Sequence, residues 1–537
     1  MVVDLWGQVE IPLAPRFFLE SFWRLFFCFC AFHSPPPAGG FIFHSFPSEC
    51  YAGGMIERVK KYSWYAFIFL LPWQTAWILR EVFVAGEKWQ YATVGLYVSD
   101  VALLVSMAFF VATFRGEVWG GMWRDMILWI LAALCVWTSL SALWAIDGSL
   151  ALFSAWRMFL MTLLYALVRY GGVPIRKTLL VFLVSMTLQA ILALFQWVGQ
   201  YVSPSTLLGI AEHDPARWGT FVLKTESGRF LRAYGGFEHP NVLGGALAIA
   251  ILCGVWLSVT ADHFRSRIAL LAMALLMSFA LVFTFSRSGW IAFLFGALVI
   301  GIFVLLSFFQ RVRRSKKNFS HTLLLGLGAK FRKILFFDLL GTSLVENVRF
   351  LYRKNVYRFF MALLLTGVSF LTAFFLVCDV AMSRFSGETL AREGSFSDRA
   401  VLMDQGFATI RERPILGVGG GNFTAFTREY FPEAGRFAGD FQPVHMVPIL
   451  VFAELGMVGL VLFSLLLASI LVQVWHGRNM FAGAIVCALF PMLFLDHWLW
   501  TSHFGTLFFG FLLGISFINP YVSRHPAQED YSPLLKK

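Results

Sequence analysis

Apolar runs constrain this chain more than any other feature. Twelve of them, most near 20 residues long, fall at residues 63–80, 94–114, 126–146, 149–168, 178–201, 242–260, 268–285, 289–309, 360–381, 446–475, 480–497 and 502–519. A stretch of about 20 apolar residues matches the thickness of a bilayer core. Lipid offers backbone groups no partners, so each run is expected to be a helix. Of the 537 residues, 58% are apolar and 14% charged, against about 25% charged in soluble domains. Mean hydropathy is +0.71. These values exclude a soluble enzyme, a disordered tail protein and a compact disulfide scaffold. The expected fold class is an all-α polytopic membrane protein of about twelve transmembrane helices.

The net charge of +12 is concentrated in one place. Between Gln310 and Arg358 stand twelve Lys and Arg residues against only Asp338 and Glu346. A basic loop between apolar spans reads as a cytoplasmic anchor. Starting inside after Arg58, Lys60 and Lys61, alternation puts 26 Lys and Arg on the inner side and 14 outside. That bias agrees with the positive-inside rule and an even span count. The loop 310–359 is therefore expected to serve topology and anionic lipid contact. It lacks any nucleic-acid-binding module, so no nucleic-acid partner is expected.

Residues 1–54 fit poorly. The apolar stretch from Phe17 to Phe32 is short and is interrupted by Glu20 and Arg24. A run opening at Met55 with Arg58, Lys60 and Lys61 looks like a natural inside start. Residues 1–54 are thus expected to be a non-native or signal-like extension, and 55–537 a single membrane domain. Cysteine is uninformative: Cys135, Cys253, Cys378 and Cys487 lie within apolar spans, where they act as small hydrophobes.

Two outer loops are long, at about 202–241 and 382–445, and long ordered loops usually carry function. Outside loops disfavour arginine, yet Arg232, Arg287 and Arg399 stand there in distinctive settings. Guanidinium groups stay charged and match phosphate oxygens bidentately, so several at one face would suit a lipid diphosphate. A snorkelling or solvated arginine is the plain alternative for each. The run Gly417 to Gly421 lacks the Gly-Lys-Ser/Thr of a phosphate loop, so a tight turn is expected there.

His445 stands at the start of the tenth run and can act as a base near neutral pH. On a straight helix Glu454 would lie about 180° around and roughly 13 Å deeper, unable to orient His445. Gly456 and Gly459 then read as a small-residue patch for helix packing. Asp496 and His497 end the eleventh run on the same outer side, where Asp496 could orient a histidine or an arginine, or simply join an interfacial polar cluster. Arg157, near the middle of the fourth run, lines a cavity or marks an interfacial helix. Glu212-His213-Asp214 is a weak candidate ion site. No His-Glu-x-x-His motif, aspartate pair or clustered His/Cys set stands outside, so no metal and no cofactor are expected.

These residues together resemble the O-antigen ligase and polymerase superfamily, integral membrane glycosyltransferases of the GT-C type. The resemblance is sharpest over 232–459. Arg232 to Asn241 is similar to the family's Arg-x-x-Gly-Phe-x-x-Pro-Asn segment, and Ser286-Arg287-Ser288 to its Ser-Arg helix end. Arg399, Pro414 to Gly417 and Gly419 to Phe423 resemble parts of its large outer loop. His445 with Gly456 and Gly459 fits its histidine-glycine spacing. Met446 stands where the family usually has a polar residue, and the basic inner insertion also departs from the pattern.

The resemblance implies a glycan donor linked to undecaprenyl diphosphate and a hydroxyl acceptor, which could be lipid A core, a protein or a second lipid-linked glycan. It implies His445 as general base, with Arg287 and Arg399 binding the diphosphate. Arg232, Asn241, Gly419, Asn422 and Asp496 are expected to bind substrate or support the loop. No ATP or metal is implied. The implied location is a bacterial inner membrane, with the active face outside the cytoplasm and both termini inside if translation starts at Met55. A repeat-unit polymerase of the same superfamily is the nearest alternative. A secondary transporter is the rival from another class, though no internal repeat supports it.

Overall fold

The computed structural model describes residues 48–113, 119–217, 219–225, 228–315, 356–383, 395–431, 437–477 and 479–516. By its contacts the chain divides into 1–55 and 56–537, and the architecture below is that of the second unit. The N-terminal segment 1–47 and most of the basic loop, 316–355, lie outside the described residues.

The unit is built from helices: α1 Ser48–Leu70, of which 56–70 belong to it, α2 Val98–Ala112, α3 Met126–Leu140, α4 Gly148–Tyr170, α5 Ile175–Gly199, α6 Pro240–Thr260, α7 Phe264–Phe283, α8 Arg287–Ser315, α9 Val356–Leu376, α10 Ser395–Glu412, α11 Phe423–Tyr430, α12 Val447–Gly477, α13 Met480–Leu495, α14 Trp498–Thr501 and α15 His503–Ser516. Eight of them (α3 to α9 and α12) are long and apolar enough to cross a membrane, and α2, α13 and α15 are shorter apolar helices. The chain is thus an all-α polytopic membrane protein.

The expected spans need three corrections. The first run, 63–80, is not one helix: α1 ends at Leu70, ahead of Pro72, and Ala76–Arg80 (β1) pairs antiparallel with Val94–Tyr97 (β2). Proline cannot supply the next helical N–H, so the chain turns into a ribbon. The second run likewise loses 94–97 to β2 and its helix begins at Val98. The tenth run contains a break at Gly456, described below.

Side-chain caps set several helix starts. Asp125 accepts the Ile127 N–H at 2.9 Å before α3, and Asp147 accepts the Ser149 N–H at 3.0 Å before α4. Asn479 accepts the Phe481 N–H at 3.0 Å before α13. Such caps satisfy donors that the helix itself leaves orphaned. Helix α6 is the centre of the bundle, with its full apolar window buried. It packs on α5, α7, α8 and α13. Its close approach to α8 is set at Gly289, where an added Cβ would come within 2.7 Å of the Gly244 backbone.

Candidate functional site

Helix α6 opens at one end of the bundle with Pro240 in its first turn and His239 as its cap. His239 Nδ1 accepts the Asn241 N–H at 2.9 Å. A nitrogen that accepts cannot carry the proton, so His239 is the Nε2–H tautomer. Burial, with the Arg232 charge beside it, holds its pKa well below the ordinary histidine value.

Arg232 is buried. Its Nε donates to Thr284 O at 2.9 Å, and its Nη2 to Asn241 Oδ1 at 2.6 Å and Phe285 O at 3.4 Å. Phe285 holds φ +46, unfavourable for an aromatic residue. Arg232 therefore clamps the strained turn between α7 and α8. From that turn Ser286 caps α8, accepting the Gly289 N–H at 3.1 Å. Arg287 follows, half-buried, in the first turn. A helix N-terminus and a guanidinium together favour an anion.

Asn241 continues the chain of bonds. Its Nδ2 donates to Asp496 Oδ2 at 2.7 Å. Asp496 ends α13, and its Oδ1 accepts the His497 N–H at 2.9 Å. The same oxygen lies 3.6 Å from His445 Nδ1. That nitrogen is buried and has no closer partner. Burial disfavours ionised Asp496, but the facing imidazoles, His445 first, outweigh it and hold the carboxyl well below the usual carboxylate range. The His445 and His497 ring centroids lie 4.8 Å apart. His497 Nδ1 pairs with Thr501 Oγ1 at 2.7 Å. Its pKa falls to about 3 through burial first, with the charge of His445 and of Arg399 adding to it. Arg399, half-buried on α10, thus acts on the same cluster.

Five separate stretches of chain meet here, so the expectation of no clustered histidines outside is corrected. His239, His445 and His497 are far apart in sequence and adjacent in space. His445, Asp496 and His497 each offer one atom within 4.8 Å of the others, and a His–His–carboxylate set suits a zinc ion. Glu212-His213-Asp214 does not form an ion site. Glu212 accepts from Tyr201 and Arg217, Asp214 accepts the Ala216 N–H, and His213 stacks on Tyr234 with centroids 4.0 Å apart.

Beside the histidines lies a second polar group. Arg157 donates from Nη1 to Thr501 O and from Nη2 to Ser154 Oγ at 3.1 Å, so it faces the protein interior. Glu238 accepts from Gln90 Nε2 at 3.0 Å, and burial raises its pKa. Tyr91 sets its ring edge-on to His497 at 5.9 Å. Both Gln90 and Tyr91 come from the 76–97 ribbon, which Arg80 ties down through an ion pair with Asp147. The sequence gives no sign of this ribbon's role. His239, by contrast, stands inside the Arg232–Asn241 segment, two residues before Asn241.

Gly419 and Asn422 are engaged within the protein. The break at Gly456, with φ +66, frees the carbonyls at the end of the first half of α12. Val418 N donates to Ala453 O at 3.0 Å, Gly419 N to Glu454 O at 2.8 Å, and Trp137 Nε1 to Leu455 O at 2.8 Å. Gly417, Gly419 and Gly421 all have positive φ, as a tight turn requires. Asn422 Oδ1 accepts the Asp147 N–H at 2.8 Å, and its Nδ2 donates to Gly420 O at 3.0 Å. So Gly456 marks a break in α12, and its missing Cβ lets the Ile415–Gly417 backbone approach closely. Glu454 is buried and accepts from Trp500 Nε1 at 3.1 Å.

Residues 272–464 match the family model described as O-antigen ligase. This segment is therefore similar to the O-antigen ligase family. Comparison with curated proteins gives no match. The matched O-antigen ligase segment contains Arg287, Arg399 and His445. Arg232, Asn241 and Asp496 lie outside it, yet they bond directly into the same cluster.

Proposed function

We propose that this protein transfers a glycan from undecaprenyl diphosphate to an acceptor hydroxyl, with His445 as the general base. One observation carries the reading: His445 Nδ1 faces the ionised Asp496 at 3.6 Å. A small movement closes that gap into a hydrogen bond, and catalytic contacts commonly tighten only with substrate bound. Nδ1–H donation to Asp496 would fix the tautomer and leave the Nε2 lone pair for the acceptor.

In the reaction, Nε2 takes the acceptor hydroxyl proton as the oxygen attacks the anomeric carbon. The bond from that carbon to the phosphate oxygen breaks, and undecaprenyl diphosphate leaves with the electron pair. Arg287 at the head of α8, with Arg399, stabilises the charge on the departing diphosphate. Arg232 and Asn241 position Arg287 and Asp496. The step needs no ATP and no metal, because the donor linkage supplies the driving force and a histidine supplies the base.

The test is mass spectrometry of lipid-linked glycans in cells carrying the wild type or His445→Ala at equal protein levels. Accumulation of undecaprenyl diphosphate-linked glycan in the variant supports the reading. Finished long chains mark a ligase, and single repeats mark a polymerase. No accumulation, with the pathway active, overturns it.

A further inference from the structure

A cleft of about 280 Å³ opens at the opposite end of the helices from His445. The separation follows from α5. This helix begins at Ile175 beside the cleft and ends at Gly199, near where Gln196 Nε2 donates to Gly235 O in the segment bearing Arg232 and Asn241. Twenty-five residues of helix span about 37 Å.

The cleft is lined by Arg58, Lys60 and Lys61 on α1, with Trp64 and Phe110 as its apolar wall and the turn Gly171 to Pro174 as its far side. Glu57 is the one acid in its lining, and it stands 3.7 Å from Lys60 with its side chain largely exposed. Three cations against one acid leave a net positive cleft. The Lys60 ammonium sits over the Phe110 ring, 4.6 Å from its centroid, which holds it against the wall instead of out in solvent. The turn leads into α5, where Pro174 caps the helix without any side-chain acceptor, adding a weakly positive helix end to the same cleft.

Large exposed side chains mark its level. Tyr62 on α1 is 65% exposed and Val111 on α2 is 61% exposed. Trp123 is also exposed and packs on Trp129 with centroids 5.2 Å apart, at the end of the short helix Trp119–Trp123, whose Gly121 carbonyl accepts from Tyr170. Exposed aromatics gather at membrane–water boundaries. A cationic cleft at that depth, with an apolar wall, suits a ligand with a charged head and an apolar tail. Its volume lies just below the range of about 300–1,000 Å³ typical of whole small-molecule sites, which fits a headgroup alone.

We propose that this cleft binds the phosphodiester headgroup of an anionic lipid through Arg58, Lys60 and Lys61. The tail runs from the headgroup down the apolar wall toward the bilayer. The site is independent of the glycosyl-transfer reading, because none of its residues touches the His445 cluster.

The test uses the full chain in nanodiscs of phosphatidylcholine, with and without phosphatidylglycerol. Thermal unfolding and native mass spectrometry of retained lipid are read together. Phosphatidylglycerol should raise the midpoint of the wild type and remain bound. A basic residue near a membrane surface changes anionic lipid affinity about five-fold. Lys60→Gln/Lys61→Gln should therefore weaken phosphatidylglycerol retention about 25-fold and lose most of the thermal rise. Arg265→Gln removes an exposed cation outside the cleft and should change neither readout. An equal loss per charge in Arg265→Gln overturns the proposal in favour of a diffuse charge effect. Equal stabilisation by inorganic phosphate in phosphatidylcholine discs overturns the lipid assignment, since a free anion would then suffice. Wild-type and double-variant proteins that respond identically to phosphatidylglycerol overturn the site itself.

Discussion

Asn241 and Asp496 are 255 residues apart in sequence and joined by a 2.7 Å hydrogen bond. Asn241 uses both ends of its amide, accepting from Arg232 and donating to Asp496. It thereby ties the guanidinium that clamps the α7–α8 turn to the carboxylate that faces His445. Asn241→Ala breaks both bonds at once. A hydrogen bond to a charged group contributes about 1.5–3 kcal/mol. If that positioning is used in the reaction, transfer should slow about 10- to 100-fold. Purified protein assayed with a lipid-linked donor, alongside a thermal midpoint, separates the outcomes. A rate unchanged in a folded Asn241→Ala protein would show that the bridge does not serve His445.

The loop 202–241 carries a pH-dependent element of its own. His213 stacks on Tyr234, and burial lowers its pKa to about 4. In the unfolded chain a histidine titrates near about 6.5. Between those values the unfolded state binds more protons, so stability falls as pH drops from about 6.5 to 4. The slope from one such group reaches at most about 1.4 kcal/mol per pH unit. His213→Phe keeps a ring against Tyr234 and removes the titration. Thermal midpoints in detergent from pH 7 to 4 should fall less steeply in the variant than in the wild type. Parallel curves would remove His213 from the account.

Much of the membrane architecture is legible in the sequence because a bilayer leaves few choices. Runs such as 242–260 and 360–381 must be helical, and helices Pro240–Thr260 and Val356–Leu376 cover all of the first and most of the second. The failures occur where tertiary partners replace what a helix normally supplies itself. Nothing in the spacing of Gly456 and Gly459 distinguishes a packing patch from a break. The break is stable only because Val418, Gly419 and Trp137 arrive from elsewhere to bond the freed carbonyls. His445 and Arg287 are legible as polar residues at the ends of apolar runs, and Arg399 as an arginine within the long loop 382–445. The Asp496–Asn241–Arg232 chain was legible only as separate residues, since sequence shows no contact between positions 255 apart. The 76–97 ribbon was hidden because its residues read as the end of one span and the start of the next.

The break in α12 has its own test. At φ +66 and ψ −165 a Cβ at Gly456 is strained and collides with the Ile415 carbonyl. Such backbone strain costs about 1–3 kcal/mol before any clash is counted. Gly456→Ala should lower the thermal midpoint markedly or abolish accumulation of the protein. Gly477→Ala, at the far end of the same helix, meets nothing within 4 Å and serves as the control. If both variants are equally stable, the break is not required by the fold.

The histidine cluster can also be probed with metal. His445, Asp496 and His497 lie close enough to share an ion, yet the proposed chemistry needs the His445 lone pair free. Chelator treatment should therefore leave transfer unchanged, while added zinc should inhibit by occupying His445. A zinc site with two of its three ligands left is far weaker, so His497→Gln should need much more zinc for the same inhibition. His497→Gln keeps a side-chain group within reach of Thr501, which accounts for the choice over alanine. Activity lost on chelation and restored by zinc would reverse the assignment, making the cluster a metal centre and removing His445 as the base.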